Sequence, residues 1–307
     1  MSDGRPDSTT PHTADAVDEQ ETDFEPTADP DDTCFVVLNA ASLRELLAVF
    51  RPIEQNAQFF VREGIGIRAR SRSEYCYWFE VTIPVTVFEV FHTDDVDLHV
   101  NVDALERALN RTQADRVALR GKHGSVLLDD GRTTYRLKAD EIPLEDRRRT
   151  DPSVLEDRPL FDLVASLEFT VPAAKLQAIV AADEERDHAG IRVDKAAETA
   201  DVFFFDMDGG DRTVSMRLAP DDFVSPPELP VADVEEATVV TAPVCREAID
   251  QAVSPMRGNV TMTVPEHSDA LPTLIEYERA DGTLSVSGRL TNRKGAYQAL
   301  ESLESAE

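Results

Sequence analysis

Lysine is almost missing from this chain. Five stand in 307 residues, at positions 122, 138, 175, 195 and 294, so nearly all positive charge is arginine. Cations as a whole are outnumbered, 31 Lys and Arg against 60 Asp and Glu, for a formal charge of −29. Cysteine is scarce too. Cys34, Cys76 and Cys245 are far apart, odd in number and form no CxxC pair, which argues against a disulfide framework or a zinc site and for buried, reduced thiols. No stretch approaches about 18 apolar residues, so no membrane span is expected. Met1–Thr33 lacks the apolar core of a signal peptide, and a cytoplasmic protein is the expectation.

Catalytic signatures are missing as well. His12, His92, His99, His123, His188 and His267 form no HxH or HxxxH spacing, and the chain has no GxSxG, P-loop or GxGxxG. The acid pairs Asp94-Asp95 and Asp221-Asp222 suit solvated turns better than general acids. His188, between Asp187 and Ala189, suits a local hydrogen bond better than a catalytic base. The expectation is a protein without enzymatic activity, metal or cofactor.

What is present is a core-forming composition, 41% hydrophobic, over a length that suits about two domains. The acidity and the scarcity of lysine resemble adaptation to molar salt, where the Debye length falls to roughly 3 Å and self-repulsion is screened. In that setting net charge reflects solubility more than partner choice, and local arginine clusters are the better guide to nucleic-acid contact.

The chain repeats itself. Four short amphipathic helices are expected at Ser42–Val49, Val102–Arg111, Pro172–Ala182 and Pro243–Val253, each followed by segments that alternate apolar and polar residues. Asn39 or Ser42 can cap the first helix, and Asn101 or Asp103 the second. Strands are expected at Phe35–Leu38, Phe59–Ala69 (around Gly64 and Gly66), Tyr75–Val81, Val85–Phe91, Arg116–Arg120, Ser125–Asp129 and Thr133–Lys138. In the second half they are expected at Leu167–Val171, Ile191–Val193, Val202–Met207, Val214–Leu218, Glu235–Thr241, Val260–Val264, Leu274–Tyr277 and Leu284–Leu290. Asp130-Gly131 and Asp281-Gly282 are hairpin signals, and Gly209-Gly210 is a turn. Many short strands with few, similarly placed helices read as an α+β repeat.

The organisation expected is a disordered acidic tail over 1–33, domains over 34–141 and 167–290, a joining loop over 142–166 and a polar tail over 291–307. The joining loop holds Pro143, Pro152, Pro159 and the run Arg147-Arg148-Arg149, and is longer than most connections inside a domain.

Several short stretches resemble the archaeal DNA sliding clamps of the proliferating cell nuclear antigen family. They are Ala41-Ser42-Leu43-Arg44-Glu45-Leu46, Gly66-Ile67-Arg68-Ala69, Asn101-Val102-Asp103-Ala104-Leu105, Ala181-Ala182-Asp183 and Asp187-His188-Ala189-Gly190-Ile191-Arg192-Val193. The likeness spans about Phe35–Leu290 and rests on the order of elements; with the acidity, it points to a haloarchaeal member. It implies two similar clamp domains, each with two helices packed on antiparallel sheets. It further implies a head-to-tail ring trimer that encircles double-stranded DNA without reading sequence, opened by a clamp loader.

By the same resemblance, ring-lining helices would present Arg44, Arg51, Arg107, Arg111, Lys175 and Arg246 to phosphates. Thr133, Tyr135 and Leu137 on one edge strand would meet Val202, Phe203, Phe204 and Phe205 of the next subunit. The joining loop would cover a pocket for peptides of DNA polymerase, ligase and nuclease clients, with Val154, Leu155, Leu160 and Phe161 as apolar contacts.

The chain departs from the family pattern at Ala69–Glu74, in the joining loop with its Arg147-Arg148-Arg149 run, and at Gly288-Arg289-Leu290-Thr291-Asn292. All three adjoin the implied pocket and fit a divergent paralogue. The alternative reading is a clamp-fold interaction or regulatory protein that does not encircle DNA.

Overall fold

Asn39 closes the first strand and opens the first helix. In the computed structural model its side-chain oxygen accepts the Ala41 N–H at 2.7 Å, satisfying one of the donors a helix start leaves open. The strand is β1 (Cys34–Asn39) and the helix α1 (Ala40–Phe50). Leu43, Leu46, Leu47 and Phe50 recur at helical spacing and are fully buried. The same join recurs between β6 (Val96–Asn101) and α2 (Val102–Leu109), where Asn101 accepts the Ala104 N–H at 2.8 Å. The structure describes residues 26–50, 56–72, 77–122, 124–141, 166–183, 185–206, 215–230, 238–266 and 272–290, with 296 and 298.

Each half runs strand, helix, three strands, one 3-10 turn, two strands, helix, three strands. The first half adds β2 (Asn56–Arg62), β3 (Gly66–Arg72), β4 (Tyr77–Pro84), the turn Val85–Val87, β5 (Val90–Thr93), β7 (Arg116–Lys122), β8 (Ser125–Asp129) and β9 (Thr134–Glu141). The second begins with β10 (Ser166–Pro172), α3 (Ala173–Val180), β11 (His188–Asp194), β12 (Thr199–Phe205), β13 (Ser215–Leu218) and the turn Pro220–Asp222. It closes with β14 (Ser225–Glu228), β15 (Val239–Cys245), α4 (Arg246–Val253), β16 (Asn259–Pro265), β17 (Thr273–Glu278) and β18 (Ser285–Leu290).

Pairing repeats with the order. β5-β1-β7-β8-β9 in the first half matches β14-β10-β16-β17-β18 in the second, and β6-β2-β3-β4 matches β15-β11-β12-β13. The halves join where β18 pairs antiparallel with β4, from Ser285 opposite Thr82 to Leu290 opposite Tyr77. Gly288 makes that seam possible: a Cβ there would lie 2.2 Å from the Phe79 ring. The apolar faces of these four helices meet the inward residues of both halves in one core cluster, which includes Phe79 and Val81 on β4 and Val286 and Leu290 on β18.

Several local expectations change. Val85–Phe91 is not one strand: after Pro84 the chain makes the turn Val85–Val87, and β5 starts at Val90. β6 was not foreseen, because Asp97 interrupts its apolar pattern; the structure pairs that nearly buried carboxylate with Arg62. The four residues of β14, two of them prolines, were also missed. α3 starts at Ala173, after Pro172, and α4 starts at Arg246, with Pro243 inside β15 opposite Gly190. His188 is the first residue of β11, fully buried and stacked on Phe205 at 5.6 Å.

Candidate nucleic-acid interface and subunit edges

The helices pack in two pairs, α1 with α2 and α3 with α4. Arg44, the fifth residue of α1, is exposed at its head and reaches the last carbonyl of α2, with Nη2 donating to Leu109 O at 3.4 Å. A cation there complements the negative end of the helix dipole. Arg107 and Arg111 are exposed, four residues apart at the end of α2, and neither makes a salt bridge among the described residues.

In the second half the anticipated cations are more engaged. Lys175 is half exposed and donates to Asp222 at 2.6 Å. The Lys175 ammonium and the Ala219 N–H hold the Asp222 carboxyl below its ordinary value. Arg246 is half-buried, and its Nε donates to the Arg186 carbonyl at 2.8 Å. It thereby ties the start of α4 to the loop after α3. Arg51, expected among these cations, lies outside the described residues, as do Val154, Leu155, Leu160 and Phe161 of the expected peptide pocket. The four helices together carry four cations and five carboxylates, close to neutral on a chain of −29.

The edges differ from the expectation. Val202, Phe203, Phe204 and Phe205 were expected on a free edge, but β12 lies inside its sheet. It pairs with β11 from Thr199 to Phe205 and with β13 from Ala200 to Phe203. All three phenylalanines are buried, and Gly190 leaves room for the Phe203 ring, which a Cβ would meet at 2.1 Å. Phe204 joins the core cluster, and Phe203 and Phe205 are buried on the opposite face of β12, so the run is a burial signal and not an edge signal. The terminal strands of that sheet are β13 and β15. In the first half, Thr133 is exposed and Tyr135 and Leu137 are half-buried against the core. Over Thr134–Lys138, β9 pairs with β8; only its end, from Ala139, pairs with β6.

The two halves correspond in element order and strand register. Asn39 corresponds to Pro172 and Asn101 to Cys245, each the last residue before a helix. Following the ladders from those anchors, Glu80 corresponds to Ser215 and Ser287 to Thr134. Glu80 and Ser287 are themselves a cross-strand pair at the seam.

The fold is that of the PCNA clamps. The chain is similar to the PCNA of A. fulgidus, solved with the C-terminal region of FEN-1 bound, at 15% identity and a TM-score of 0.63, covering 85% of this chain and 98% of that one. It is similar to the PCNA of Thermococcus kodakaraensis at 16% identity and a TM-score of 0.63, over 85% and 100% of the two chains. The proliferating cellular nuclear antigen of Entamoeba histolytica gives 14% identity and a TM-score of 0.61, over 85% and 98%. No family model and no curated protein matches the sequence. At this identity the likeness establishes architecture: two similar halves of helices on antiparallel sheets. Among the described residues no helix is long and apolar enough to cross a membrane.

Two parts of the site were not anticipated. Gln177 has no charge and no motif around it, yet its amide reaches three carbonyls at the end of α4. The β4–β18 seam pairs strands about 200 residues apart, which no local pattern encodes.

Proposed function

We propose that this chain is a DNA sliding clamp, a non-enzymatic ring that encircles duplex DNA and tethers replication and repair proteins to it. The observation that carries the reading is the seam. The last strand of the second half pairs with the fourth strand of the first half, while among the described residues the equivalent strands, β9 and β13, have no such partner. Repeating the seam between subunits would pair β9 of one copy with β13 of the next, Thr134 opposite Ser215 and Thr133 opposite Met216. A head-to-tail contact of this kind closes into a ring when the rotation permits, and the clamp fold favours three copies. A closed ring also removes two unprotected strand edges.

The near-neutral helices fit a lining that slides along phosphates. Arg107 and Arg111 are the cations best placed for it, with Arg44 contributing beside its bond to Leu109. Lys175 and Arg246 are bonded within the chain and contribute less. In the molar salt that the acidity fits, phosphate contacts weaken steeply, with a slope of about 0.9 per phosphate in log units. Residence on DNA would then depend on closure of the ring, and a clamp loader would be needed to open it. Client peptides of polymerase, ligase and nuclease are the expected passengers.

The second reading is a clamp-fold interaction module that does not encircle DNA, and the internal bonds of Lys175 and Arg246 favour it. Retention on DNA separates the two. After loading, the ring reading expects the protein to stay on a closed circular plasmid and to be lost when the plasmid is cut once. Equal loss from circle and linear DNA would contradict it.

A further inference from the structure

The long sheet ends on two edge strands, and only one of them is blunted. β14 and β5 are its outermost strands and hold the same place in the two halves. β14 reads Ser-Pro-Pro-Glu, so two of its four residues have no N–H to offer, and its register with β10 shifts between Glu168 and Thr170. Prolines and bulges are devices that keep a foreign strand from adding to an edge. β5 reads Val-Phe-His-Thr and has neither. It pairs one to one with β1, from Val90 opposite Val37 to Thr93 opposite Cys34, and among the described residues no strand pairs with its other side. Alternate N–H and C=O groups of such a strand point away from the sheet.

The shape of β5 is fixed from both sides. Glu89, just before it, pairs with Arg116 of β7. The Phe91 ring lies 5.0 Å from that of Phe88, and both pack against the core. On the outer face Val90 is 42% exposed, and His92 is exposed as well. Beyond Thr93 the character changes. Asp94, Asp95 and Glu63 are exposed and make no ion pair among the described residues, and Asp95 accepts the Glu63 N–H at 3.0 Å. The cations around them are engaged elsewhere: Arg116 with Glu89, Lys122 with Asp29 and Asp32, Arg62 with Asp97. The open edge thus has an exposed valine at one end and uncompensated negative charge at the other.

We propose that β5 accepts an added strand from a partner protein: an extended segment with apolar residues beside Val90 and His92 and Lys or Arg beside Asp94 and Asp95. Main-chain bonds to the edge supply the affinity, and the unlike ends set the orientation of the segment. A second copy of this chain is a poorer occupant. Antiparallel pairing of two β5 strands about a twofold axis, Val90 opposite Thr93, would set Glu89 opposite Asp94, like charges across a ladder. The site does not rest on the ring, because β5 is neither of the edges that ring closure would join.

The test is fluorescence anisotropy of the full chain with a labelled peptide of about eight residues, alternating Val and Thr and ending in two Lys, at low and at molar KCl. The same peptide with Pro at its two central positions is the control, since it cannot complete the ladder. The expected result is binding of the first peptide alone, about tenfold weaker in Val90→Lys, because a lysine on an edge strand discourages pairing. Asp94→Lys with Asp95→Lys should weaken it severalfold at low KCl and little at molar KCl. Val224→Lys, at an exposed valine beside the blunted β14, should leave it unchanged. No binding, equal binding of the Pro control or unchanged binding in Val90→Lys would each overturn the proposal, as would self-association of the chain that Val90→Lys abolishes. Should Val90→Lys fail to fold by circular dichroism, His92→Lys on the same face decides: a severalfold loss supports the proposal and no loss ends it. Crosslinking between β9 and β13 is a separate readout, so failure of this site and failure of ring closure are distinguishable.

Discussion

Arg44 and Gln177 make the same bond in the two halves of the chain. Each is the fifth residue of the first helix of its half, and each donates to the carbonyl of the last residue of the second helix, Leu109 or Val253. The internal repeat thus extends to single hydrogen bonds, although the two side chains share neither charge nor shape. The bonds differ in strength. Gln177 Nε2 lies 2.7 Å from Val253 O and 3.2 Å from Met256 O, while Arg44 is 3.4 Å from Leu109 O. Gln177→Ala is therefore expected to cost about 1–2 kcal/mol and Arg44→Ala less than about 1 kcal/mol, by thermal or urea unfolding. Equal costs would contradict this ranking. Only Arg44→Ala is expected to weaken DNA retention.

The seam gives a sharper expectation. A Cβ on Gly288 would approach Phe79 Cε1 to 2.2 Å and Ile275 Cγ2 to 2.7 Å. Phe79 is fully buried and cannot swing away. Gly288→Ala should destabilise by about 1–3 kcal/mol, and Gly288→Val should separate the strands of the seam. Hydrogen exchange on β4 and β18 checks this: faster exchange there than on β11 is the expected pattern.

Acid sensitivity should concentrate at the loop after α3. Burial pushes the Asp183 carboxyl up, but the Arg186 guanidinium at 2.6 Å and the N–H groups of Glu185 and Arg186 outweigh it, and the group sits below its ordinary value. A carboxyl with a depressed folded-state pKa contributes stability above its unfolded value, near 3.9, and loses it as pH falls through the folded one. Asp183→Asn should therefore lower the melting temperature at neutral pH. The gap to the wild type should shrink once the medium falls below about pH 4. A gap that is constant with pH would assign the loss to shape and not to charge.

Much of the architecture is legible in the sequence, because helix stripes and strand alternation are local. Leu43, Leu46, Leu47 and Phe50 announce α1, and Asp130-Gly131 announces the β8–β9 hairpin, with Gly131 at a φ of 82°. The failures share a cause. β6 contains Asp97, whose partner Arg62 lies 35 residues away, so its apolar pattern looked broken. Phe203-Phe204-Phe205 looked like an edge because the glycine that receives Phe203 lies on another strand. Arg246 looked solvent-facing because its acceptor, the Arg186 carbonyl, belongs to a distant loop. Each is a long-range relationship, and one sequence records only the residues at its two ends.

Ring closure between β9 and β13 is the central claim, and crosslinking in the register of the seam tests it most directly. Residues opposite one another on paired antiparallel strands place their Cβ atoms about 5 Å apart. A variant with Thr134→Cys and Ser215→Cys, treated with a short bis-maleimide, should yield covalent dimers and trimers of the 34.0 kDa chain that vanish when either cysteine is omitted. The native Cys34 and Cys245 are buried and should not compete, and the third native cysteine, Cys76, is replaced by Ser in every variant. A variant that stays monomeric at every concentration, with its fold intact, would contradict the ring.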